Sequence, residues 1–174
     1  MEGIRVVHAC WNQSIIESLS DQLNSDNTLN LDLLVKASQK GTDQYQGIET
    51  LLKGMEIPLP DGLIFSDKDG NSRSNIRIKW WSNEVLTYQK MAMVDDDVRE
   101  SLPDTLIENI DNSIGYPEHE KPLFLGHYWL KGNPTLIENN IACLDYSIAK
   151  GGSLCAYRWD GESILKEDKF EHTE

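Results

Sequence analysis

The sequence predicts a mixed α/β fold, with three helices in its first third and a largely antiparallel sheet towards its end. Three observations lead to this prediction. The segment 4–11 is β-branched and apolar, which is typical of a buried strand. Apolar residues then recur at helical spacing across 14–54. From residue 123 onward, short apolar segments alternate with turn residues, as they do in sheets.

Each of the three helices has a start or a stop signal. Ser14 can cap the first helix, because its hydroxyl can accept a hydrogen bond from a free backbone N–H. Gly41 is expected to end the second helix, since glycine readily adopts the left-handed conformation found there. Asp43 and Gln46 have the spacing of a capping box at the start of the third helix, and Gly54 is expected to end it.

The strands are marked by turn sequences. Segments 63–65 and 76–81 flank the turn signal 67–70 and are expected to form a hairpin. Further along, segments 141–147 and 153–159 flank a pair of glycines. We expect these last two segments to be antiparallel neighbours.

The domain organisation follows from the length and from one weakly patterned region. A chain of 174 residues fits one domain, so we expect residues 1–174 to fold as a single domain. Residues 82–121 carry an acidic run and only a few apolar positions at helical spacing, at 102, 106, 107 and 110. We therefore expect 82–121 to be an insertion or a flap.

The composition excludes several classes of function. The 16 Lys and Arg residues against 29 Asp and Glu residues give a formal net charge of −13, which repels a phosphate backbone, so general nucleic-acid binding is not expected. No apolar stretch is long enough to span a bilayer and no signal peptide is evident, which favours a cytoplasmic protein without a membrane partner. Three cysteines without a CxxC spacing favour reduced thiols.

Two histidines are the leading candidate site residues. His8 lies at the end of an apolar strand before a loop, and His127 follows Gly126 where another apolar strand ends. Each could be a metal ligand, or a partly buried histidine that is hydrogen-bonded to the backbone. His8 and Cys10 could also form half of a zinc site, but no second Cys/His pair completes four ligands.

Two further residues carry alternatives. Arg77 could bind a phosphate with both guanidinium nitrogens, or it could pair with a surface carboxylate. Asp145, followed by Tyr146, could orient a ligand histidine or close a hairpin turn. The sequence contains no GxxxxGK[ST] loop, no GxGxxG loop, no GxSxG elbow and no HExxH helix, so the chemistry of those motifs is not expected.

Four segments then form a recognisable combination: 6–11 (VVHACW), 124–129 (FLGHYW), 142–147 (ACLDYS) and 154–162 (LCAYRWDGE). In this order they resemble the C-terminal half of bacterial calcineurin-like metallophosphoesterases, a group that includes serine/threonine protein phosphatases and diadenosine tetraphosphatases. The likeness covers most of the chain and is strongest at both ends.

The resemblance implies that this chain is the C-terminal half of a sandwich in which two β-sheets stack between helices. It implies two divalent transition metal ions, Mn, Fe or Zn, at the strand ends, with His8 and His127 as ligands of the second ion. A hydroxide that bridges the two ions would attack a phosphate ester or a nucleoside polyphosphate. Arg77 is the candidate for binding the substrate phosphate, since a second basic group does so in the family.

The sequence departs from the family in one respect. The motifs GDxHG, GDxxDRG and GNHE, which supply the other ligands, do not occur. We therefore expect a fragment or split subunit that has no catalytic residue of its own, is inactive alone and has the N-terminal half, in the same or a partner chain, as its partner. The alternative is a non-catalytic acidic protein-interaction module. Self-association through an unpaired sheet edge is a further expectation.

Overall fold

The computed structural model describes residues 3–60, 62–67, 70–82, 86–108 and 114–173. The chain divides into two compact units. Unit 1 comprises Met1–Trp11, Leu51–Lys53 and Pro117–Glu174, and unit 2 comprises Asn12–Thr50 and Gly54–Tyr116. The expectation that residues 1–174 fold as a single domain stays a prediction.

Helices and short strands alternate along the described residues. The α-helices there are α1 (Gln13–Ser20), α2 (Leu31–Ser38), α3 (Asp43–Lys53), α4 (Tyr88–Met91) and α5 (Asp96–Ser101). The strands there are β1 (Arg5–Val6), β2 (Glu56–Pro58), β3 (Phe65–Ser66), β4 (Ser72–Arg73), β5 (Asn75–Arg77), β6 (Leu123–Leu125), β7 (Leu136–Glu138), β8 (Ile141–Cys143), β9 (Asp145–Tyr146), β10 (Ser153–Tyr157) and β11 (Phe170–His172). Two short 3₁₀ helices span Ile148–Lys150 and Glu167–Lys169. The predicted mixed α/β fold is confirmed, with the strands divided among several mostly antiparallel sheets.

The main sheet of unit 1 has four strands in the order β1-β6-β8-β7. β1 lies parallel to β6, with Val6 opposite Phe124, and β6 lies parallel to β8. β7 is antiparallel to β8. Every residue of β6 and β8 is buried, as expected for strands that have a neighbour on both sides. Because β1 and β6 are parallel, the residues that follow them lie at the same edge of the sheet.

A three-stranded antiparallel sheet in the order β11-β10-β9 completes unit 1. β9 pairs with β10, with Asp145 opposite Leu154, which confirms the antiparallel pairing predicted for the last two apolar segments. Phe124 and Ala142 of the main sheet pack with Leu165 in a core cluster. This cluster buries apolar side chains from both sheets, and its burial stabilises unit 1.

The three predicted helices are present, although their first residues differ from the prediction. Asn12 rather than Ser14 caps α1, because the Asn12 side-chain oxygen accepts a hydrogen bond from the Ile15 N–H at 3.0 Å. Thr42 caps α3 in the same way, and Gly54 ends α3 as expected, with a φ of +90°. Among the described residues, no helix has the length and apolar character needed to cross a membrane.

The hairpin predicted for segments 63–65 and 76–81 is wrong in its strand partners. The strands that pair on either side of residues 67–70 are β3 and β4, with Phe65 opposite Arg73. β5 instead pairs with β2, which places Ile57 opposite Ile76 in the apolar core of unit 2. Ile76 is buried in this core, so its pairing with β2 goes together with burial of an apolar side chain. Residues 68 and 69 of the predicted turn lie outside the described residues.

The region 82–121 contributes α4, α5 and part of the core of unit 2. Tyr88, Met91 and Leu102 are buried there against Ile78. The apolar positions 102, 106 and 107 lie outside a helix, because α5 ends at Ser101, and position 110 lies outside the described residues. Residues 83–85 and 109–113 lie outside the described residues, and the assignment of 82–121 as an insertion or flap stays a prediction.

Candidate functional site

The two candidate histidines lie side by side in unit 1. His8 follows β1 and His127 follows β6, and these two strands are parallel neighbours. The centroids of the two imidazole rings are 5.2 Å apart, and the ring planes make an angle of 61°. The parallel pairing therefore brings together two side chains that are distant in the sequence.

Hydrogen bonds between the two strand ends hold the histidines at this separation. The N–H of Gly126 donates to the carbonyl oxygen of His8 at 3.0 Å. The hydroxyl of Tyr128 donates to the carbonyl oxygen of Ala9 at 2.9 Å. The segments on both sides of the histidine pair are therefore linked, which limits how far the two rings can separate.

The backbone of His127 adopts a left-handed conformation, with a φ of +71°. The N–H of Tyr128 donates to the carbonyl oxygen of Gly126 at 2.9 Å and closes a three-residue turn around His127. A residue with a Cβ adopts this conformation only where its surroundings impose it, and such residues cluster at functional sites. The turn fixes the direction in which the imidazole leaves the backbone.

Both imidazoles line a cleft of about 500 Å³. Val6, Leu125 and Leu144 give the cleft apolar walls, and Asp145 adds a carboxylate. One oxygen of this carboxylate accepts a hydrogen bond from the Ser147 N–H at 3.1 Å. The cleft therefore combines two imidazoles and one carboxylate with apolar walls, an arrangement typical of small-ligand sites.

The side chains of the cleft fit part of a metal site. Neutral imidazole nitrogen is a good ligand for divalent transition metals, and His8 and His127 supply two such donors. Within the described ranges, no group of three or more His, Cys, Asp or Glu residues is placed to hold a metal ion. A stable site takes three or four protein ligands, so these two histidines are an incomplete set.

Cys10 does not extend this ligand set. Its side chain has no exposed surface, and burial raises the pKa of its thiol to about 12. A metal binds the thiolate, and at neutral pH this thiol keeps its proton. The half zinc site of His8 and Cys10, left open by the sequence, is therefore disfavoured.

Arg77 lies in unit 2, whereas the two histidines lie in unit 1. Its guanidinium is 3.2 Å from the carboxylate of Glu56, the residue directly opposite on β2. This is the pairing with a surface carboxylate that the sequence allowed as the alternative. The role of Arg77 in phosphate binding stays a prediction.

Asp145 and Tyr146 have different surroundings. Asp145 closes a turn through Ser147 and also lines the cleft. Both interpretations, a turn residue and a residue that orients a ligand histidine, therefore stay predictions. The hydroxyl of Tyr146 accepts a hydrogen bond from the Thr135 N–H at 3.0 Å and is part of the framework of unit 1.

Two residues near the cleft were not found from the sequence. The ammonium group of Lys150 lies 3.9 Å from the centre of the Trp129 ring. The motif 124–129 contains Trp129, but no spacing rule connects it to Lys150. Only the fold brings the two side chains together.

Comparison of the chain with protein-family models, with curated proteins and with solved structures gave no match. The resemblance to calcineurin-like metallophosphoesterases stays a prediction from the sequence motifs.

Proposed function

We propose that this chain is the C-terminal part of a two-metal phosphoesterase that hydrolyses phosphate esters or nucleoside polyphosphates. The observation that carries the proposal is the close approach of His8 and His127, with ring centroids 5.2 Å apart at the edge of one sheet. Both histidines belong to the segments that resemble the family. Their proximity supports the proposal, because two ligands of one metal ion must lie close together.

The residues of this chain would have two tasks. His8 and His127, as neutral imidazoles, would hold a Mn, Fe or Zn ion from one side. When bound, such ions supply Lewis-acid chemistry and activate water for attack on phosphorus. Val6 and Leu125 would give the ligand an apolar surface beside the two imidazoles.

The isolated chain would be inactive or very slow, because two imidazoles do not complete the ligand set. The N-terminal half of the domain, in the same chain or in a partner chain, would supply the remaining ligands. Arg77, which pairs with Glu56 in this structure, is the proposed substrate-binding residue, as a guanidinium that can bind a phosphate. We also assign the protein to the cytoplasm, and its three free, buried cysteines support a reducing compartment.

Calorimetric titration with Mn²⁺ and with Zn²⁺ tests the metal-binding part of the proposal. We expect His8→Ala and His127→Ala each to weaken binding at least ~10-fold, as loss of a direct ligand should do. His119→Ala is the matched control, because His119 is exposed and lies outside the cleft. Equal affinity of the wild type and the His8/His127 double variant would contradict the proposal.

Reconstitution gives a second readout of the same proposal. Adding an N-terminal segment that carries the three missing motifs should restore Mn²⁺-dependent hydrolysis of p-nitrophenyl phosphate. His8→Ala and His127→Ala should then abolish this activity, while His119→Ala should retain it. Full activity in the two ligand variants would refute their assignment.

A non-catalytic acidic protein-interaction module is the second candidate. The observation that favours it is the incomplete ligand set among the described residues, together with the net charge of −13. The calorimetric experiment separates the two candidates, since an interaction module has no reason to bind a metal through His8 and His127.

A further inference from the structure

Trp129 places a large aromatic surface beside the histidine cleft. Its side chain is 54% exposed, although tryptophan is usually buried over most of its area. Its φ of +51° is left-handed, a conformation that bulky residues seldom adopt. The fold therefore holds an exposed indole in a strained loop two residues after His127.

Lys150 adds a positive charge at the same place. Its ammonium group lies 3.9 Å from the centre of the Trp129 ring, within the range of a favourable cation–π interaction. In the described part of the chain, Lys150 forms no ion pair with a carboxylate, even though the net charge is −13. This lysine therefore keeps its charge available for an anionic ligand.

Hydrogen bonds of neighbouring residues attach the segments that carry Trp129 and Lys150 to the wall of the cleft. The N–H of Leu130 donates to the carbonyl oxygen of Asp145 at 2.9 Å, and the Ser147 hydroxyl donates to the carbonyl oxygen of Leu130 at 3.2 Å. Ser147 also immediately precedes the 3₁₀ helix that carries Lys150. The Trp129 loop and the Lys150 helix are thus both fixed to Asp145, which lines the cleft.

The distances suit a ligand that has a phosphate and an aromatic ring. The Cα atoms of residues 127 and 129 can be at most ~7 Å apart, because each residue extends the chain by about 3.3 to 3.6 Å. The two backbone positions are therefore close enough for one nucleotide-sized ligand to contact both residues. A nucleobase stacks well on an exposed indole, and a lysine ammonium neutralises phosphate oxygens.

We propose that Trp129 and Lys150 form a nucleotide-binding subsite, in which the indole stacks on the base and the ammonium group contacts a phosphate. The inference rests on the proposed phosphoesterase function and names its substrate class. It favours nucleoside phosphates over alkyl phosphates. Because every base has a stacking face, the subsite selects nucleotides without selecting one base.

Nuclear magnetic resonance of the full chain tests this subsite through the tryptophan indole N–H signals. The Trp129 signal is identified by its absence in Trp129→Phe, and AMP, adenosine and ribose 5-phosphate are titrated separately. We expect AMP to shift the Trp129 signal and to bind at least ~5-fold more tightly than ribose 5-phosphate, because only AMP can stack. No AMP-dependent shift at millimolar concentration would overturn the inference.

Variants separate the roles of the two side chains. Trp129→Ala should weaken the binding of AMP at least ~5-fold. Trp129→Phe should retain part of the affinity, because phenylalanine still stacks. Lys150→Ala should weaken the binding of AMP but not that of adenosine, because adenosine has no phosphate. Lys131→Ala is the matched control, an exposed lysine that follows the same loop. Unchanged AMP affinity in Trp129→Ala would contradict the subsite.

Mn²⁺ titration of the same samples distinguishes failure of the subsite from failure of the proposed function. Mn²⁺ binding that depends on His8 and His127, without any AMP binding, would overturn the subsite and leave the phosphoesterase proposal standing. AMP binding at Trp129, with Mn²⁺ affinity unaffected by the histidine variants, would overturn the phosphoesterase proposal. It would leave the nucleotide subsite standing.

Discussion

Three of the non-glycine residues that have a positive φ in the described structure, His127, Trp129 and Ser147, belong to the two loops beside the histidine cleft. Each such conformation is unfavourable by about 1 to 3 kcal/mol and persists only where the neighbouring structure holds it. Here the hydrogen bonds through Asp145 and Leu130 hold both loops. The backbone around the cleft is therefore fixed before any ligand binds, which favours binding.

Gly151 and Gly152, which follow the 3₁₀ helix Ile148–Lys150, allow a test of how tightly the backbone is packed here. A Cβ at Gly152 would overlap the carbonyl oxygen of Tyr146, whereas a Cβ at Gly151 would meet no atom within 4 Å. Gly151 has a φ of +82°, so alanine there suffers only backbone strain. In urea unfolding, we expect Gly151→Ala to lower the free energy of unfolding by about 1 to 2 kcal/mol. Gly152→Ala should lower it by about 3 kcal/mol or more, because the backbone must move.

If both glycine variants lower the free energy of unfolding by the same amount, the prediction is wrong. The overlap at position 152 would then be relieved without a penalty. Circular dichroism of each variant before unfolding provides the control that both start from the same secondary structure.

At the scale of elements, a network of polar groups closes the end of the β10–β11 hairpin. The ammonium group of Lys169 lies 3.0 Å from Asp160 and 2.9 Å from Glu162. The hydroxyl of Tyr157 donates to Glu162 at 3.1 Å and accepts a hydrogen bond from the Lys166 N–H at 2.8 Å. These contacts connect the end of β10 to the chain that leads into β11.

The Glu162 carboxyl gives this hairpin a predictable pH dependence. Burial alone would raise its pKa, but hydrogen bonds from Lys169, from backbone N–H groups and from Tyr157 lower it from 4.5 to about 2. A carboxyl whose pKa is lower in the folded state stabilises the fold above its unfolded pKa, and this contribution disappears as the pH falls towards the folded pKa. We therefore expect the free energy of unfolding to decrease between about pH 4.5 and about pH 2.

Glu162→Gln should be less stable than the wild type at about pH 6, and the difference should shrink towards about pH 3. Urea unfolding at the two pH values measures this difference in the free energy of unfolding. Glu171→Gln is the control, because Glu171 is exposed on β11 in the same hairpin. A constant difference between Glu162→Gln and the wild type across this range would rule out the pKa shift as its origin.

At the scale of the whole molecule, the thiols lie in one unit only. Cys10, Cys143 and Cys155 all lie in unit 1 and are buried. Burial raises the pKa of the Cys10 thiol to about 12 and those of Cys143 and Cys155 to about 11. Both burial and protonation slow their reaction with a disulfide reagent at neutral pH. The rate of thiol labelling therefore reports the opening of unit 1.

A substitution in the core of unit 2 then tests the prediction that residues 1–174 fold as a single domain. Ile78 has no exposed surface, and replacing such a side chain by alanine lowers stability by about 2 to 5 kcal/mol. If the two units unfold together, Ile78→Ala should accelerate thiol labelling in unit 1 by ~30-fold or more. Ile64→Ala, at a position that is 67% exposed in the same unit, should leave the rate unchanged.

If Ile78→Ala labels at the rate of the wild type, the two units unfold separately. The single-domain prediction would then be wrong.

Local patterns in the sequence were enough for the helices and for one strand pair. The apolar spacing predicts α1, α2 and α3, and the glycine after α3 marks its end, because helical periodicity and chain termination depend on near neighbours. The antiparallel pairing of β9 and β10 is predictable for the same reason, since a short turn joins them. Helix caps and the partner of β5 were misassigned, because a cap depends on which side chain reaches the N–H group and a strand partner depends on burial.

The sequence by itself also identified His8 and His127 as candidate site residues, since they stand where apolar strands end. Only the tertiary structure decided that the two imidazoles meet, because that depends on the parallel alignment of β1 with β6. The same holds for Lys150 above Trp129 and for the pairing of Arg77 with Glu56. Contacts between residues far apart in the chain are selected by how all the apolar surface is buried at once, and no spacing along the sequence carries that information.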